Sequence, residues 1–187
     1  KFTFSYWMKN GRYSTASTAS GGTDYKIGNP MWIMGTVGSN ARVYGALGGD
    51  KDVGLQCLDD SGNNYLVRYL SFDPTDTSQW LHFVYAVDTS QSSNDDKIKI
   101  YWNGQLLKDI ASTSYSVFTV GTGDLPALNE SGHTFYISNH VSSYYYDGYF
   151  AEMNYVDGTV YDASKFGQTD TSTGRWVPKA ISSVTYG

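Results

Sequence analysis

The sequence predicts an all-β fold, an antiparallel two-sheet β-sandwich, on three observations. Aromatic residues make up 16% of the chain, with 17 Tyr, 8 Phe and 5 Trp, a bias that suits pleated and half-buried surfaces. Short apolar or alternating runs recur between breaks rich in Gly, Asn and Ser. No helix-sized window carries an apolar period of 3.6 residues.

Each element follows from its own pattern. Phe2, Phe4, Tyr6 and Met8 alternate with Thr3, Ser5, Trp7 and Lys9, and Asn10-Gly11 ends this first strand. Ser14 to Thr23 (STASTASGGT) is a low-complexity polar stretch that reads as a surface loop. Met31 to Thr36, Ala41 to Ala46, Asp52 to Leu58 and Tyr65 to Phe72 read as successive strands. The breaks between them are Gly38-Ser39-Asn40, Gly48-Gly49-Asp50 and Ser61-Gly62-Asn63-Asn64, the spacing expected of a sandwich of short strands. Asp73-Pro74-Thr75-Asp76 forms a turn into the central pair.

That central pair is the clearest signal in the chain. His82 to Val87 is mostly apolar, as a strand buried on both faces should be. Lys97 to Trp102 alternates, with Ile98, Ile100 and Trp102 facing the core and Lys97, Lys99 and Tyr101 facing water. Asn103-Gly104 supplies the positive φ angles of a type I′ turn, and Gln105 to Ile110 is expected to return as the partner strand. Ala111 to Asn129 reads as a long connection with one short strand at Ser116 to Val120. Thr134 to Ser138 and Tyr149 to Val156 are further strands, and Asp157-Gly158 is a turn. Asp162 to Phe166 has an N-cap aspartate and a closing Gly167, the marks of one helical turn. Trp176-Val177-Pro178 is extended. Residues 1–187 thus read as one domain, and because Lys1 opens inside a strand, as an excerpt of a longer chain.

Composition narrows the function classes. Thirteen basic against 18 acidic side chains give a net charge of −5 with no cluster of Lys or Arg, which argues against nucleic acid as a partner. No stretch approaches the roughly 20 apolar residues of a membrane span. Cys57 is alone, cannot pair within the chain, and reads as core filler in Val53 to Leu58.

Three stretches carry a family resemblance. The opening Phe2 to Lys9 (FTFSYWMK) is the first. The second, Asp73 to Leu107, holds Trp80-x-His82, Ala86-Val87-Asp88-Thr89 and Tyr101-x-Asn103-Gly104. The third, Tyr145 to Lys179, holds Asp147-Gly148-Tyr149-x-Ala151-Glu152, Phe166-Gly167-Gln168-Thr169-Asp170 and Gly174-x-Trp176-x-Pro178-Lys179. With these the chain resembles the laminin-G-like, concanavalin A-like jelly-roll domains of marine tailed-phage structural proteins. The resemblance implies two stacked sheets in jelly-roll order and a place in the virion, as a capsid decoration or a tail or fibre component. Other virion proteins would then be its partners, and it would be oligomeric in the assembled particle. The same architecture elsewhere binds glycans, so an adhesin recognising host surface glycans is the alternative.

No enzyme is expected. Glycosidases on this architecture need two carboxylates projecting from one strand face, whereas Glu152 is followed at i+2 by Asn154 and at i+4 by Val156. Glu152 reads instead as an acceptor for nearby backbone or hydroxyl donors. His82, His133 and His140 lack metal-ligand spacing, and His82 reads as a hydrogen-bonded structural residue. No cofactor is expected, Ca²⁺ being the one ion the loop acids Asp59 with Asp60, Asp73 with Asp76 and Asp95 with Asp96 would suit. The ligand or interface candidates are Tyr144, Tyr145, Tyr146 and Tyr149. Alternation sends Tyr145 to the face opposite Tyr144 and Tyr146, so the cluster either presents a ring for stacking or packs across strands.

Overall fold

The structure, a computed structural model, describes residues 1–11, 29–35, 42–48, 52–58, 64–70, 76–110, 113–116, 134–137, 139–140, 144–145 and 148–186. In chain order the strands are β1 (Phe2–Asn10), β2 (Asn29–Gly35), β3 (Arg42–Gly48), β4 (Asp52–Leu58), β5 (Asn64–Leu70) and β6 (Leu81–Val87). A helical turn α1 (Asn94–Lys97) precedes β7 (Ile98–Trp102) and β8 (Gln105–Leu106), and α2 (Leu107–Ile110) follows. Then come β9 (Thr113–Ser116), β10 (Thr134–Ile137), β11 (Asn139–His140), β12 (Tyr144–Tyr145), β13 (Gly148–Asp157), a 3-10 turn at Ala163–Lys165, β14 (Gly167–Thr169) and β15 (Trp176–Pro178).

Two antiparallel sheets form the sandwich. One runs β13-β1-β6-β7-β8 and the other β10-β2-β3-β4-β5-β9. Between them lie Phe2, Phe4, Tyr6, Met8, Phe83, Tyr85, Ile98 and Ile100 from the first sheet, with Val53 and Leu55 from the second. The period of two places these residues on one face, and burying it is the main driving force for stacking the sheets. Ring contacts tie the layers at one side, where Phe4 meets Phe135 edge-on at 5.4 Å.

The outer face of the first sheet is covered as well. The segment after β13 folds back across it, and Val84, Val156, Ala163 and Phe166 form a second apolar cluster there, joined by Tyr101, Tyr161 and Trp176. Thr3 fastens this strap, donating from its hydroxyl to the Thr159 carbonyl at 2.9 Å and accepting from the Tyr161 amide at 2.8 Å. Both faces of β1 and β6 are therefore buried, as the apolar run in β6 predicts.

Several expectations need correction. Gln105 to Ile110 is not a full partner strand: β8 covers two residues before α2 takes over. A helical turn here drops Leu107 into the core, while Lys108 pairs with Asp95. Lys97 does not face water; it closes α1 and is buried, because the strand begins one residue later at Ile98. A short strand lies at Thr113–Ser116 and pairs with β5; of the strand expected at Ser116 to Val120, the residues after Ser116 lie outside the described residues. Gly167 opens β14 rather than closing a helix, although Asp162 does cap the 3-10 turn by accepting from the Ser164 amide at 2.8 Å. The loop at Ser14 to Thr23 lies outside the described residues.

Candidate functional site

The site grows out of a buried histidine. His82 sits on the outer face of β6 with no solvent exposure, stacked on Trp7 at 4.7 Å between ring centroids. An indole N–H can only donate, so the 2.9 Å bond from Trp176 Nε1 makes His82 Nδ1 the acceptor. The proton then belongs on Nε2, which donates to the Ser5 hydroxyl at 2.9 Å. Burial lowers the His82 pKa from the usual 6.5 to about 3, and the Trp176 donor leaves Nδ1 no room for a second proton. His82 is thus a neutral structural residue, as the sequence indicates.

Its backbone is pinned too. The His82 amide donates to Asn103 Oδ1 at 2.8 Å, and the Asn103 amide returns a bond to the His82 carbonyl at 2.9 Å. Asn103 and Gly104 have φ of 46° and 84°, the left-handed pair that a type I′ turn demands. A Cβ on Gly104 would meet the Trp176 ring at 2.6 Å, and one on Gly167 would meet it at 2.5 Å. The Trp-x-His, Asn-Gly, Phe-Gly and Gly-x-Trp signatures are therefore one physical object, a seat for the Trp176 indole.

Beside this cluster lies a cleft of about 870 Å³. Trp7, Trp80, Trp102 and Trp176 line it, four of the five tryptophans in the chain. Around the rings stand Ser78, Gln79, Asn103, Gln105, Thr169, Glu152 and Arg175. Trp80 is 43% exposed. Trp7 is only 4% exposed, and its Nε1–H has no hydrogen-bond partner among the described residues.

Glu152 reaches the cleft through an irregularity in β13. Ser5 pairs with Asn154 and Trp7 with Ala151, so Tyr6 alone spans Glu152 and Met153, which makes a β-bulge. Glu152 carries the strain with a φ of 49°, left-handed for a residue with a side chain. Among the described residues the acceptor at this position is the Glu152 backbone carbonyl, which takes a hydrogen bond from Asn154 Nδ2 at 2.9 Å. Glu152 is exposed and lines the cleft.

Tyr144 and Tyr145 form β12 and pair with His140 and Asn139, while Tyr146 lies outside the described residues. Tyr149 stands on the edge strand β13, 65% exposed, and does not line the cleft. Of the loop acids, Asp95 pairs with Lys108 and Asp96 with Lys99, and Asp76 accepts from Ser78 and Gln79. Asp59, Asp60, Asp73 and His133 lie outside the described residues. Among the described residues no three His, Cys, Asp or Glu side chains stand together as a metal would require.

The tryptophans were the readable signal for the cleft, but their spacing alone does not bring them together. The strap at Gly167–Pro178 does that, by laying Trp176 against His82, which itself stacks on Trp7, from the far end of the chain.

No protein-family model and no curated protein sequence matches the chain. Solved structures share its fold. A native heptameric SAP-like pentraxin from Limulus polyphemus superposes with a TM-score of 0.51 at 12% identity, over 86% of this chain and 65% of the pentraxin. The receptor-binding domain of botulinum neurotoxin type G gives 0.51 at 12% identity, over 87% of this chain and 36% of that one. The CBM40 module of a Ruminococcus gnavus IT-sialidase gives 0.50 at 10% identity, over 87% and 78%. The chain therefore spans less than two thirds of the pentraxin and about a third of the toxin domain. At such identity the likeness is one of architecture: the chain has the concanavalin-like jelly-roll sandwich fold.

Proposed function

We propose that this chain is a non-catalytic carbohydrate-recognition module and that the tryptophan cleft is its site. The observation that carries the reading is the gathering of Trp7, Trp80, Trp102 and Trp176 around one opening rimmed by amide and hydroxyl side chains. A pyranose presents C–H groups on its faces and hydroxyls at its edge, so indole faces ringed by Asn, Gln, Ser and Thr match both. The CBM40 module among the structures that share the fold agrees with this. Glu152 is the one carboxylate among the described residues lining the cleft, and glycoside hydrolysis works with two, which favours binding over chemistry. A glycan array probed with multimerised wild type should give saturable signals that Trp80→Ala abolishes. Signals unchanged by that substitution would remove the cleft from the reading.

A second reading follows the resemblance to tailed-phage structural proteins: a virion component that docks on its neighbours. It is favoured by an apolar seam along adjoining sheet edges, where β10 exposes Phe135 and Ile137 and β13 exposes Tyr149. Phe135 contacts Tyr155 of β13 at 6.4 Å, so the two edges are neighbours. Among the described residues no further strand pairs with these edges, and such edges invite another chain to cover them. Mass spectrometry of purified virions should then find the polypeptide in stoichiometric amounts, and its absence would end this reading.

A further inference from the structure

We propose that Glu152 and the Trp7 indole N–H act together as an acceptor and a donor that read adjacent hydroxyls of a neutral pyranose. This inference rests on the carbohydrate reading and adds to it the polar determinants and the class of sugar.

Three independent features meet at this point. Trp7 is almost fully buried, yet its Nε1–H has no partner among the described residues and its ring lines the cleft. A buried donor without an acceptor is costly and rare, and a ligand oxygen at the cleft wall would satisfy it. Directly across the strand pair, Trp7 stands opposite Ala151, the chain neighbour of Glu152. The bulge there holds Glu152 in a left-handed conformation that glycine would adopt without cost, and Glu152 lines the same cleft with a carboxylate that can only accept when ionised. Strain kept at a cleft wall, where a bulge re-aims a side chain, marks a position chosen for something other than stability.

The chemistry selects the ligand. A carboxylate has two acceptor oxygens and can take the protons of two adjacent hydroxyls, while the indole N–H gives a hydrogen bond to one hydroxyl oxygen. Among the described residues lining the cleft Arg175 is the one cation and Glu152 the one anion, so together they offer no net charge to attract an acidic sugar. An anionic substituent beside Glu152 would be repelled.

The test uses the whole chain and ¹⁵N-resolved NMR titrations with methyl glucoside, methyl galactoside and methyl mannoside. In the wild type at least one of these should move the Trp7 indole N–H resonance downfield as it gains an acceptor. Glu152→Gly should raise Tm by relieving the backbone and yet weaken binding by roughly tenfold or more, the effect of losing a charge-assisted hydrogen bond. Glu152→Gln should weaken binding with little change in Tm. Trp7→Phe, checked for native folding, should weaken binding of the same sugar while Trp80→Ala abolishes it.

Binding lost in Trp80→Ala but unchanged in Glu152→Gly and Trp7→Phe would overturn this pair and leave the cleft standing as a sugar site. No response to any glycoside, on the array or by NMR, would overturn the carbohydrate reading and the pair with it. Tighter binding of a uronic acid by Glu152→Gln than of any neutral sugar by the wild type would overturn the assignment to neutral ligands.

Discussion

The His82 cluster and the cleft beside it share Trp7 and Trp176 but obey opposite rules. In the cluster both imidazole nitrogens have a partner, and Asn103 holds the His82 amide and carbonyl. In the cleft Trp80 is exposed, Glu152 is strained and the Trp7 N–H has no protein acceptor among the described residues. The first region is finished without a ligand; the second leaves acceptors and donors open on aromatic walls. The difference separates what the family-like motifs do for the fold from what the surface they support can do for recognition.

The largest effect expected from breaking the first region is that of Trp176→Ala. It removes the donor to His82 Nδ1 and empties the seat formed by Gly104 and Gly167. Urea denaturation should show a loss of about 3 kcal/mol, the lower end for removing a large aromatic because Trp176 is only partly buried. A loss below about 1 kcal/mol would mean that the strap is held by Thr3, Val156 and Phe166 rather than by the indole.

Acid should reach the same cluster next. His82 has its pKa depressed from 6.5 to about 3 by burial, so the unfolded chain takes up the proton first. Stability is whole above pH 6.5 and falls as pH drops toward about 3, by at most about 1.4 kcal/mol per pH unit. Asp88 adds a separate loss at lower pH. Hydrogen bonds led by the Ser90 side chain hold it at about 2, so its contribution is present above 3.8 and disappears as pH falls toward about 2. His82→Gln should flatten the stability profile between pH 6.5 and 4 without touching the lower step. A slope that survives this substitution would show that another group titrates there.

Gly167→Ala isolates the packing. No left-handed backbone is involved at this position, so its cost comes from a methyl group placed 2.5 Å from the Trp176 ring. Overpacking of this kind costs about 1–3 kcal/mol. A double-mutant cycle with Trp176→Leu should recover most of it, because the smaller side chain vacates the contested space. Additive losses would mean the two residues do not meet.

How far the sequence reveals this arrangement depends on the range of the interaction. Strands such as Asp52–Leu58, and the Asn103-Gly104 turn, are legible because alternation and turn chemistry are local. The failure at Gln105 to Ile110 comes from Leu107, whose place in the core favours a helical turn over continued pairing. His82 is legible as structural, but its partners Ser5 and Trp176 lie 77 and 94 residues away in sequence. The cleft shares that difficulty: Trp7 and Trp176 come from opposite ends of the chain, and only the strap unites them. The tyrosine run drew attention as a local cluster, whereas the tryptophans are scattered in sequence and clustered in space.

The smallest effect sharpens the contrast between an exposed ring and a site. Tyr149 is the most exposed of the large apolar side chains among the described residues, at 65%, while Trp80 is 43% exposed. Tyr149→Ser should leave stability within about 0.5 kcal/mol of wild type, because an exposed side chain on an edge strand gains little from folding. Sugar titrations of this variant should match the wild type, since Tyr149 does not line the cleft. If the chain instead docks on a virion through the apolar seam, Tyr149→Ser should lower its occupancy on assembled particles while sugar binding stays intact. The opposite pattern, sugar binding lost with Tyr149 and kept without Trp80, would move the site from the tryptophan cleft to the edge of β13. Exposure alone would then have been the better guide, and the unpartnered Trp7 donor would need another explanation.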